Sequence, residues 1–280
     1  MTYRSLLLFL DRDPQCAART KVAMRLAKDL DCHLVGVAPT GRVDLLAFAE
    51  AAAGPAEFAA LSRDSLRDEA RHATQRCRDA CRAGSVKSFE AVIDESDKAL
   101  SLVRHAHCSD LTVLTQANPS ASGHRLAQAL VEQVVLYSAR PTLILPFSGH
   151  FDTVGSNVMV AWDDSREAAR ALSDALPLLR LAKHVQVVSW SEAGADCDKM
   201  LRPRLDDLSH WLMRQGVLAD FCVEMTDIDI ADAMLSHAAD SNTDLIVMGA
   251  YGHARWTERV LGGATRGLLA TMTVPVLMSH

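Results

Sequence analysis

Aromatic residues are scarce in this chain, and there is no excess of positive charge. Phe, Trp and Tyr make up 5% of the 280 residues, whereas proteins that bind single-stranded nucleic acid depend on aromatic faces for base stacking. Lysine and arginine number 29 against 35 aspartates and glutamates, which gives a net charge of −6 and no basic field to attract phosphates. The composition therefore predicts no nucleic acid partner.

Long apolar runs are also missing. The stretch from Leu6 to Leu10 is stopped by Asp11 and is too short for a signal-peptide core or a membrane span. Seven cysteines, an odd number, are scattered without a CxxC pair. These features predict a cytoplasmic protein with free thiols and no membrane contact. Cys77 and Cys81 have helical i, i+4 spacing, which we interpret as an exposed or partly packed thiol pair rather than a metal site.

The chain lacks the common signatures of nucleotide-dependent and hydrolytic enzymes. It contains no GxxxxGK[ST], no GxGxxG and no GxSxG. No residue stands out as a nucleophile or a general base, and no set of side chains indicates a metal site. We therefore predict that the protein is not an enzyme, with weak ATP hydrolysis as the most that it would show.

Short apolar segments alternate with amphipathic helical patterns along the chain. This alternation is typical of an α/β fold with a parallel sheet. A polar, glycine-containing stretch at residues 148–156 interrupts the pattern and reads as a linker. An alanine-rich segment, residues 43–60, is predicted to be a loop with broken helical turns, because Gly54 and Pro55 lie inside it.

After the linker the pattern restarts as an internal repeat. The extra length of the first copy falls between its second and third strands, so we interpret the alanine-rich segment as an insertion. We predict two domains of ordinary size, residues 1–147 and residues 156–280, called the first and second halves below. The repeat is carried by three matched pairs of residues: Asp11 with Asp163, Asp110 with Asp244, and Pro141 with Pro275.

The strongest candidate site lies between Asp244 and His280. A short buried strand there precedes four glycines, which are Gly249, Gly252, Gly262 and Gly263. A strand, a glycine loop and a helix can hold phosphate with backbone N–H groups and the helix N-terminus. The equivalent positions of the first half carry other residues, namely Thr115, Asn118, Gln128 and Ala129. This contrast favours a ligand loop kept by the second half, although single glycines also fit a strand end and a turn.

Two further residues are candidates for contacts to an adenosine. Asp163 follows the first strand of the second half, at the sheet edge where open α/β sheets bind ligands, and its carboxylate could accept from a ribose hydroxyl or an adenine amine. The alternative is a cap for the following helix, and Asp11 keeps the same residue type in the first half. Trp190 ends the next strand, where it could line an adenine pocket or cover the sheet.

These residues resemble the universal stress protein family. The family pattern G-x2-G-x9-G-[S/T], followed by a helix and a PVLVV-like strand, is matched here by Gly249-x2-Gly252-x9-Gly262-Gly263 and by Val274-Pro275-Val276-Leu277. Two departures stand out. Gly263 replaces the hydroxyl residue, whose phosphate contact is worth about 0.5–1.5 kcal/mol, and Trp190 is bulkier than the family's small aliphatic residue. Thr265 could supply a hydroxyl from the next turn.

The resemblance implies two tandem Rossmann-like domains, each with a five-stranded parallel sheet and helices on both faces, packed as an intramolecular pseudo-dimer. It covers the chain clearly in the second half and weakly in the first. It also implies a nucleotide site, with ATP as the ligand and Mg²⁺ as its counter-ion. By matching position, the site residues are Asp163, Trp190, Gly249, Gly252, Gly262, Gly263, Ala264 and Thr265.

Two functions remain open on the sequence. The first is a cytoplasmic stress-response module that binds ATP or a related adenine nucleotide in its second half. The second is a tandem stress protein that binds no nucleotide and acts through protein–protein contacts. The last strand of each half could also pair with another strand, either within the chain or in a second copy that would form a homodimer, because an unpaired edge can accept another strand.

Overall fold

A computed structural model describes residues 2–41, 55–192, 197–252 and 263–280. Most of the alanine-rich segment that was predicted to be a loop lies outside these ranges, as does Gly262 of the predicted site. Within the described residues the predicted α/β architecture is confirmed.

One mostly parallel sheet runs through the described part of the chain. Its ten strands follow the order β3-β2-β1-β4-β5-β10-β9-β6-β7-β8, so each half contributes five strands that are parallel to one another. The strands are β1 (Ser5–Phe9), β2 (His33–Pro39), β3 (Phe89–Asp94), β4 (Leu111–Thr115), β5 (Thr142–Leu145), β6 (Asn157–Ala161), β7 (His184–Glu192), β8 (Asp220–Thr226), β9 (Leu245–Gly249) and β10 (Val276–Ser279).

Helices cover both faces of this sheet. Those described are α1 (Cys16–Asp29), α2 (Pro55–Ala83), α3 (Lys98–Ala106), α4 (His124–Tyr137), α5 (Arg166–Leu179), α6 (Cys197–Arg214), α7 (Ile230–Asp240) and α8 (Gly263–Thr271). The prediction of a loop up to residue 60 was wrong at its end, because α2 already begins at Pro55. Proline suits a first helical position, since its missing N–H would have no helical partner there.

The internal repeat is visible in the strand register. Leu6 pairs with Leu111 in the first half, as Val158 pairs with Leu245 in the second. The matched aspartates, Asp110 and Asp244, also accept equivalent backbone hydrogen bonds. Asp110 Oδ2 accepts the backbone N–H groups that open β1, and the Asp244 carboxylate accepts three N–H groups at the start of β6.

Two apolar cores, one on each face, continue from one half into the other. The first lies under α1, α2, α5 and α6, and the second under α3, α4, α7 and α8. Cys77 and Cys81 belong to the first core, where they are 2% and 0% exposed. The interpretation of an exposed or partly packed thiol pair was therefore wrong: both thiols lie on the inward face of a long amphipathic helix whose charged residues point outward.

The two halves join through their last strands. β5 and β10 pair antiparallel, with Thr142 opposite Met278, so the pairing of last strands takes place inside one chain. Side chains reinforce the junction: the Tyr3 hydroxyl donates to the Asp174 carbonyl at 2.6 Å, and Gln116 Nε2 donates to the Leu269 carbonyl at 2.8 Å. None of the helices in the described ranges is both long and apolar enough to cross a membrane.

Candidate functional site

The strand register brings three predicted site residues to one edge of the sheet. β9 ends at Gly249, beside the carboxyl end of β6, which Asp163 follows closely. β7 pairs with β6 on its other side, and Trp190 lies near the end of β7. The carboxyl edge of a parallel sheet is where open α/β folds place their ligands. The predicted grouping of these residues is therefore compatible with the strand register.

Gly249 lets helix α5 approach the sheet. A β-carbon at this position would lie 2.6 Å from Ala168 N and 2.8 Å from Glu167 Cβ. Contacts this short with backbone atoms cannot be relieved by a side-chain rotation, so any other residue would push the helix away. Helix packing is thus a sufficient reason for glycine at 249, which the comparison of the two halves by sequence did not reveal.

Gly252 faces the carboxylate of Glu167. A β-carbon at residue 252 would lie 2.9 Å from Glu167 Oε2 and 3.3 Å from Cδ. The Glu167 side chain is 6% exposed, and its Oε1 accepts a hydrogen bond from Arg166 Nε. A buried acidic group therefore lies directly against the second glycine of the predicted phosphate loop.

Glu167 is ionised at neutral pH. Burial raises its pKa, but the hydrogen bond from Arg166, a bond from its own backbone N–H, and the charges of Arg166 and His280 outweigh that effect. The net pKa lies below the ordinary value of a glutamate. A negative side chain in the first turn of a helix is also favoured by the helix dipole, which stabilises it without any ligand.

Asp163 is exposed at the entrance to α5. Its Oδ1 accepts from the backbone N–H of Ser165 at 3.0 Å and from the Ser165 hydroxyl. Ser165 in turn caps the helix, since its Oγ accepts from Ala168 N at 3.1 Å. Asp11 makes the same local contact with Asp13 N in the first half. Within the described residues Oδ2 of Asp163 has no hydrogen-bond partner, which leaves this oxygen able to accept from a ligand.

Trp190 is half-buried on the face of the sheet covered by α7. Its ring meets His237 edge-on, with the centroids 6.2 Å apart. His237 bridges two strands, with Nδ1 2.7 Å from Glu224 Oε1 and Nε2 2.8 Å from Gln186 Oε1. The indole Nε1 is buried and has no hydrogen-bond partner among the described residues. The described contacts of Trp190 are thus with the core and this polar group.

A hydrogen bond to Thr265 connects the start of the glycine loop with α8. Its Oγ1 is the acceptor for the backbone N–H of Tyr251 at 3.1 Å, and Thr265 is 3% exposed. Tyr251 has a left-handed φ of 55°, and burial raises the pKa of its phenol to about 12, so the phenol stays neutral. Gly263 and Ala264 form the first turn of α8 and are partly exposed there, where helical N–H groups lack intrahelical partners.

The first half fills the equivalent place with a buried arginine. Arg19, on α1, is 1% exposed. Its guanidinium donates to the Phe9 carbonyl at 2.9 Å, to Thr115 Oγ1 at 2.6 Å and to Asp11 Oδ1 at 2.8 Å. The second half has Ala171, also fully buried, at the matching helix position. The carboxyl edge of the first half is therefore filled by the protein's own cation, whereas the matching helix position of the second half carries the uncharged Ala171.

Sequence reasoning missed both buried charges, Arg19 and Glu167. Each belongs to the first turns of a helix that follows a first strand, where charged residues are usually exposed. Arg19 nevertheless carried a signal, because it shares an apolar helix face with Val22 and Leu26 and is replaced by Ala171 in the repeat. Nowhere in the described ranges do three or more metal-ligating side chains come together.

Comparisons with known proteins agree with this architecture. The sequence model of the universal stress protein family matches residues 156–280. The second half is a universal stress protein domain. The chain is 26% identical over 160 residues to the universal stress protein Slr1230 of Synechocystis, a match that covers 56% of this chain and 52% of that protein, so it spans about half the length of this curated relative.

Solved structures extend the likeness to the whole chain. A universal stress protein from Archaeoglobus fulgidus superimposes with a TM-score of 0.74 at 16% identity, covering 98% of this chain and 95% of that one. The protein PA1789 from Pseudomonas aeruginosa gives a TM-score of 0.62 at 14% identity, covering 99% and 92%. At these identities the likeness shows the fold, which both halves of the chain share.

Proposed function

We propose that this protein is a cytoplasmic stress-response module whose second half binds ATP or a related adenine nucleotide. The observation that carries the proposal is the contrast at the two carboxyl edges. Arg19 fills the edge of the first half, whereas the edge of the second half has Ala171, a glycine loop and an Asp163 oxygen able to accept. One chain would then bind one nucleotide. The proposal treats residues 1–147 and 156–280 as the two domains and includes no catalytic step.

In this proposal Asp163 Oδ2 accepts from the ribose or the adenine amine, and Trp190 lines the base. The loop from Gly249 to Thr265 lies against the phosphates, with Gly263 and Ala264 presenting N–H groups at the start of α8. Gly262 belongs to the same proposed loop and lies outside the described residues. Mg²⁺ would offset part of the phosphate charge, which the ionised Glu167 beside Gly252 would otherwise repel.

Two measurements test the proposal. First, the purified protein is denatured and the released small molecules are identified. Second, ATP with Mg²⁺ is titrated by calorimetry into the wild type, into Asp163→Asn and into the matched first-half variant Asp11→Asn. We expect one site per chain, about tenfold weaker binding in Asp163→Asn, because Asn presents a neutral acceptor where the native residue presents a charged one, and no change in Asp11→Asn. A protein that releases no nucleotide and gives no heat at millimolar ATP contradicts the proposal.

A second candidate function is a tandem stress protein that works through protein contacts without nucleotide. The buried Glu167 carboxylate favours it, because the carboxylate lies where a phosphate would approach Gly252. Large apolar side chains near the β8 edge, with Leu218 80% and Met225 74% exposed, also suit a partner surface. Partners captured by the immobilised protein should persist when ATP is added. Their displacement by ATP contradicts this candidate.

A further inference from the structure

The ten-stranded sheet ends in two outer strands, β3 in the first half and β8 in the second. The Ser88 carbonyl accepts from Leu34 on β2, and successive residues of a strand turn their backbone groups to opposite sides. The carbonyl of Ala91 therefore points away from β2, toward the outside of the sheet. Arg78, on α2, donates to that carbonyl. A side chain from the covering helix thus occupies the middle of the β3 edge.

β8 presents a row of backbone groups at the other end of the sheet. The Val188 carbonyl accepts from Trp162, which follows β6, so the residues on either side of Val188 turn their backbone groups toward β8. In the observed register this leaves three residues of β8, Phe221, Val223 and Met225, with N–H and C=O groups that point away from β7. None of the described side chains near this edge donates to these three carbonyls. β8 also contains no lysine or proline, which commonly protect a strand edge from further pairing.

The same three residues form an apolar row on one face of β8. Phe221 and Val223 are half-buried and pack against the first core, whereas Met225 is 74% exposed. When a second β8 lies antiparallel with Val223 opposite its own copy, Phe221 lies opposite Met225 of that copy. All three residues then belong to hydrogen-bonded pairs, in which the two members exchange both of their N–H···O bonds. Each exposed methionine also covers a half-buried phenylalanine of the other copy.

The charges of β8 select the same register. With Val223 on the two-fold axis, Glu224 lies opposite Cys222 of the second copy. Asp220 lies opposite Thr226, so no two carboxylates face each other directly. Moving the axis by one residue places either Asp220 opposite Glu224 or Glu224 opposite its own copy, and like charges directly opposite each other destabilise a strand pair.

We propose that β8 is a dimerisation edge, which pairs antiparallel with β8 of a second copy of this chain. The two sheets then form one continuous sheet around a two-fold axis at Val223. The partner is a second copy because β8 is complementary to itself in hydrogen bonding, apolar contact and charge. This contact lies at the end of the sheet, away from the β5–β10 junction, and it does not depend on nucleotide binding.

The test compares two variants of the full chain with the wild type by analytical ultracentrifugation. Met225→Lys places a cation in the apolar row of β8. The matched control, Ile93→Lys, changes an outward-facing residue of β3, where Ile93 is 39% exposed. Because both side chains are exposed, lysine can keep its charge in water at either position. Thermal unfolding checks that each variant folds.

We expect the wild type and Ile93→Lys to be dimers at about 100 µM and to dissociate on dilution, because a single strand pair makes a small interface. Met225→Lys should weaken the association by about tenfold or more, since a charge on an edge strand opposes pairing. A wild type that is monomeric at about 100 µM would overturn the proposal. Dimers that persist unchanged in Met225→Lys would do the same.

Hydrogen exchange of the wild type tests the register without any substitution. The amides of Phe221, Val223 and Met225 should exchange more slowly as the protein concentration rises, because the second copy supplies their acceptors. The amides of Cys222 and Glu224 face β7 and should show the same protection at every concentration. Protection of the three outward amides that does not change with concentration would contradict pairing through β8.

Discussion

The two halves differ in the charged side chain that is buried near the carboxyl edge of their strands. It is a cation, Arg19, in the first half and an anion, Glu167, in the second. In the first half Arg19 reaches across from α1 and bonds Thr115 at the end of β4. In the second half the matching residues are Ala171 and Gly249, the space between helix and strand is smaller, and Glu167 reaches the loop instead. A repeat with one backbone plan can therefore bury a cation at one carboxyl edge and an anion beside the other by exchanging a few residues in the first helix and the fourth strand.

The comparison also shows what glycine means in such a repeat. Gly249 is required by the close approach of α5, whatever the ligand. Thr115 is tolerated in the first half because its hydroxyl accepts a bond from Arg19 and the helix there packs around a larger side chain. The presence of glycine in one half alone is therefore evidence about helix packing first and about ligands second.

The largest effect that we predict is from removing the buried cation of the first half. Arg19→Met should lower the free energy of unfolding by about 3 kcal/mol, because it leaves the Phe9 carbonyl, Thr115 and Asp11 without their donor. Lys21→Met, an exposed position on the same helix, should change it by less than about 0.5 kcal/mol. Urea unfolding at neutral pH measures both. Equal stabilities would mean that Arg19 does not hold this edge together.

A smaller loss is expected from filling the tight contact of the second half. Gly249→Ala places a methyl group against the backbone of Glu167 and Ala168 and should cost about 2 kcal/mol. The control is Gly123→Ala, where an added β-carbon meets no atom within 4 Å and the cost should stay within about 0.5 kcal/mol. If the two variants unfold at the same urea concentration, the helix–strand contact is looser than described.

The smallest predicted effect concerns Asp110 and Asp244, the aspartates that accept backbone N–H groups at the start of β1 and β6. Asp244→Ala should cost about 1.5 kcal/mol, because three N–H groups at the start of β6 lose a charged acceptor. Asp110→Ala should cost less, since Asp110 accepts from two such groups. Hydrogen exchange of the amides that open β1 and β6 would show which half loosens. A larger loss of unfolding free energy in Asp110→Ala than in Asp244→Ala would contradict this prediction.

The sequence predicted the fold well because two regular signals pointed the same way. Apolar runs alternate with amphipathic helices, and the chain repeats this pattern with matching aspartates and prolines, so the α/β class and the two similar halves follow from the residues. The five-stranded parallel sheet in each half was implied by the family resemblance. The junction between the halves was open to two solutions, within one chain or between two. The β5–β10 pair shows the internal one.

The site was less predictable for a physical reason. Local patterns identify residues that can lie at a strand end, such as Asp163 and Gly249, but not the charged side chains that other elements bring there. Glu167 reads as an ordinary first-turn acid and Arg19 as an ordinary helix arginine. Their burial depends on the distance between helix and strand, which is a property of packing rather than of sequence spacing.

The antiparallel pairing of β5 with β10 has a geometric consequence for the two carboxyl edges. It turns one half over with respect to the other, so the carboxyl edges of the two halves lie on opposite sides of the molecule. Gly249 and Arg19 therefore lie at opposite edges of the sheet. The Gln116–Leu269 hydrogen bond joins the end of β4 to the C-terminal turn of α8, the helix that begins at Gly263. This hydrogen bond, together with the shared core that contains Leu268 and Leu269, attaches α8 of the second half to the carboxyl edge of the first.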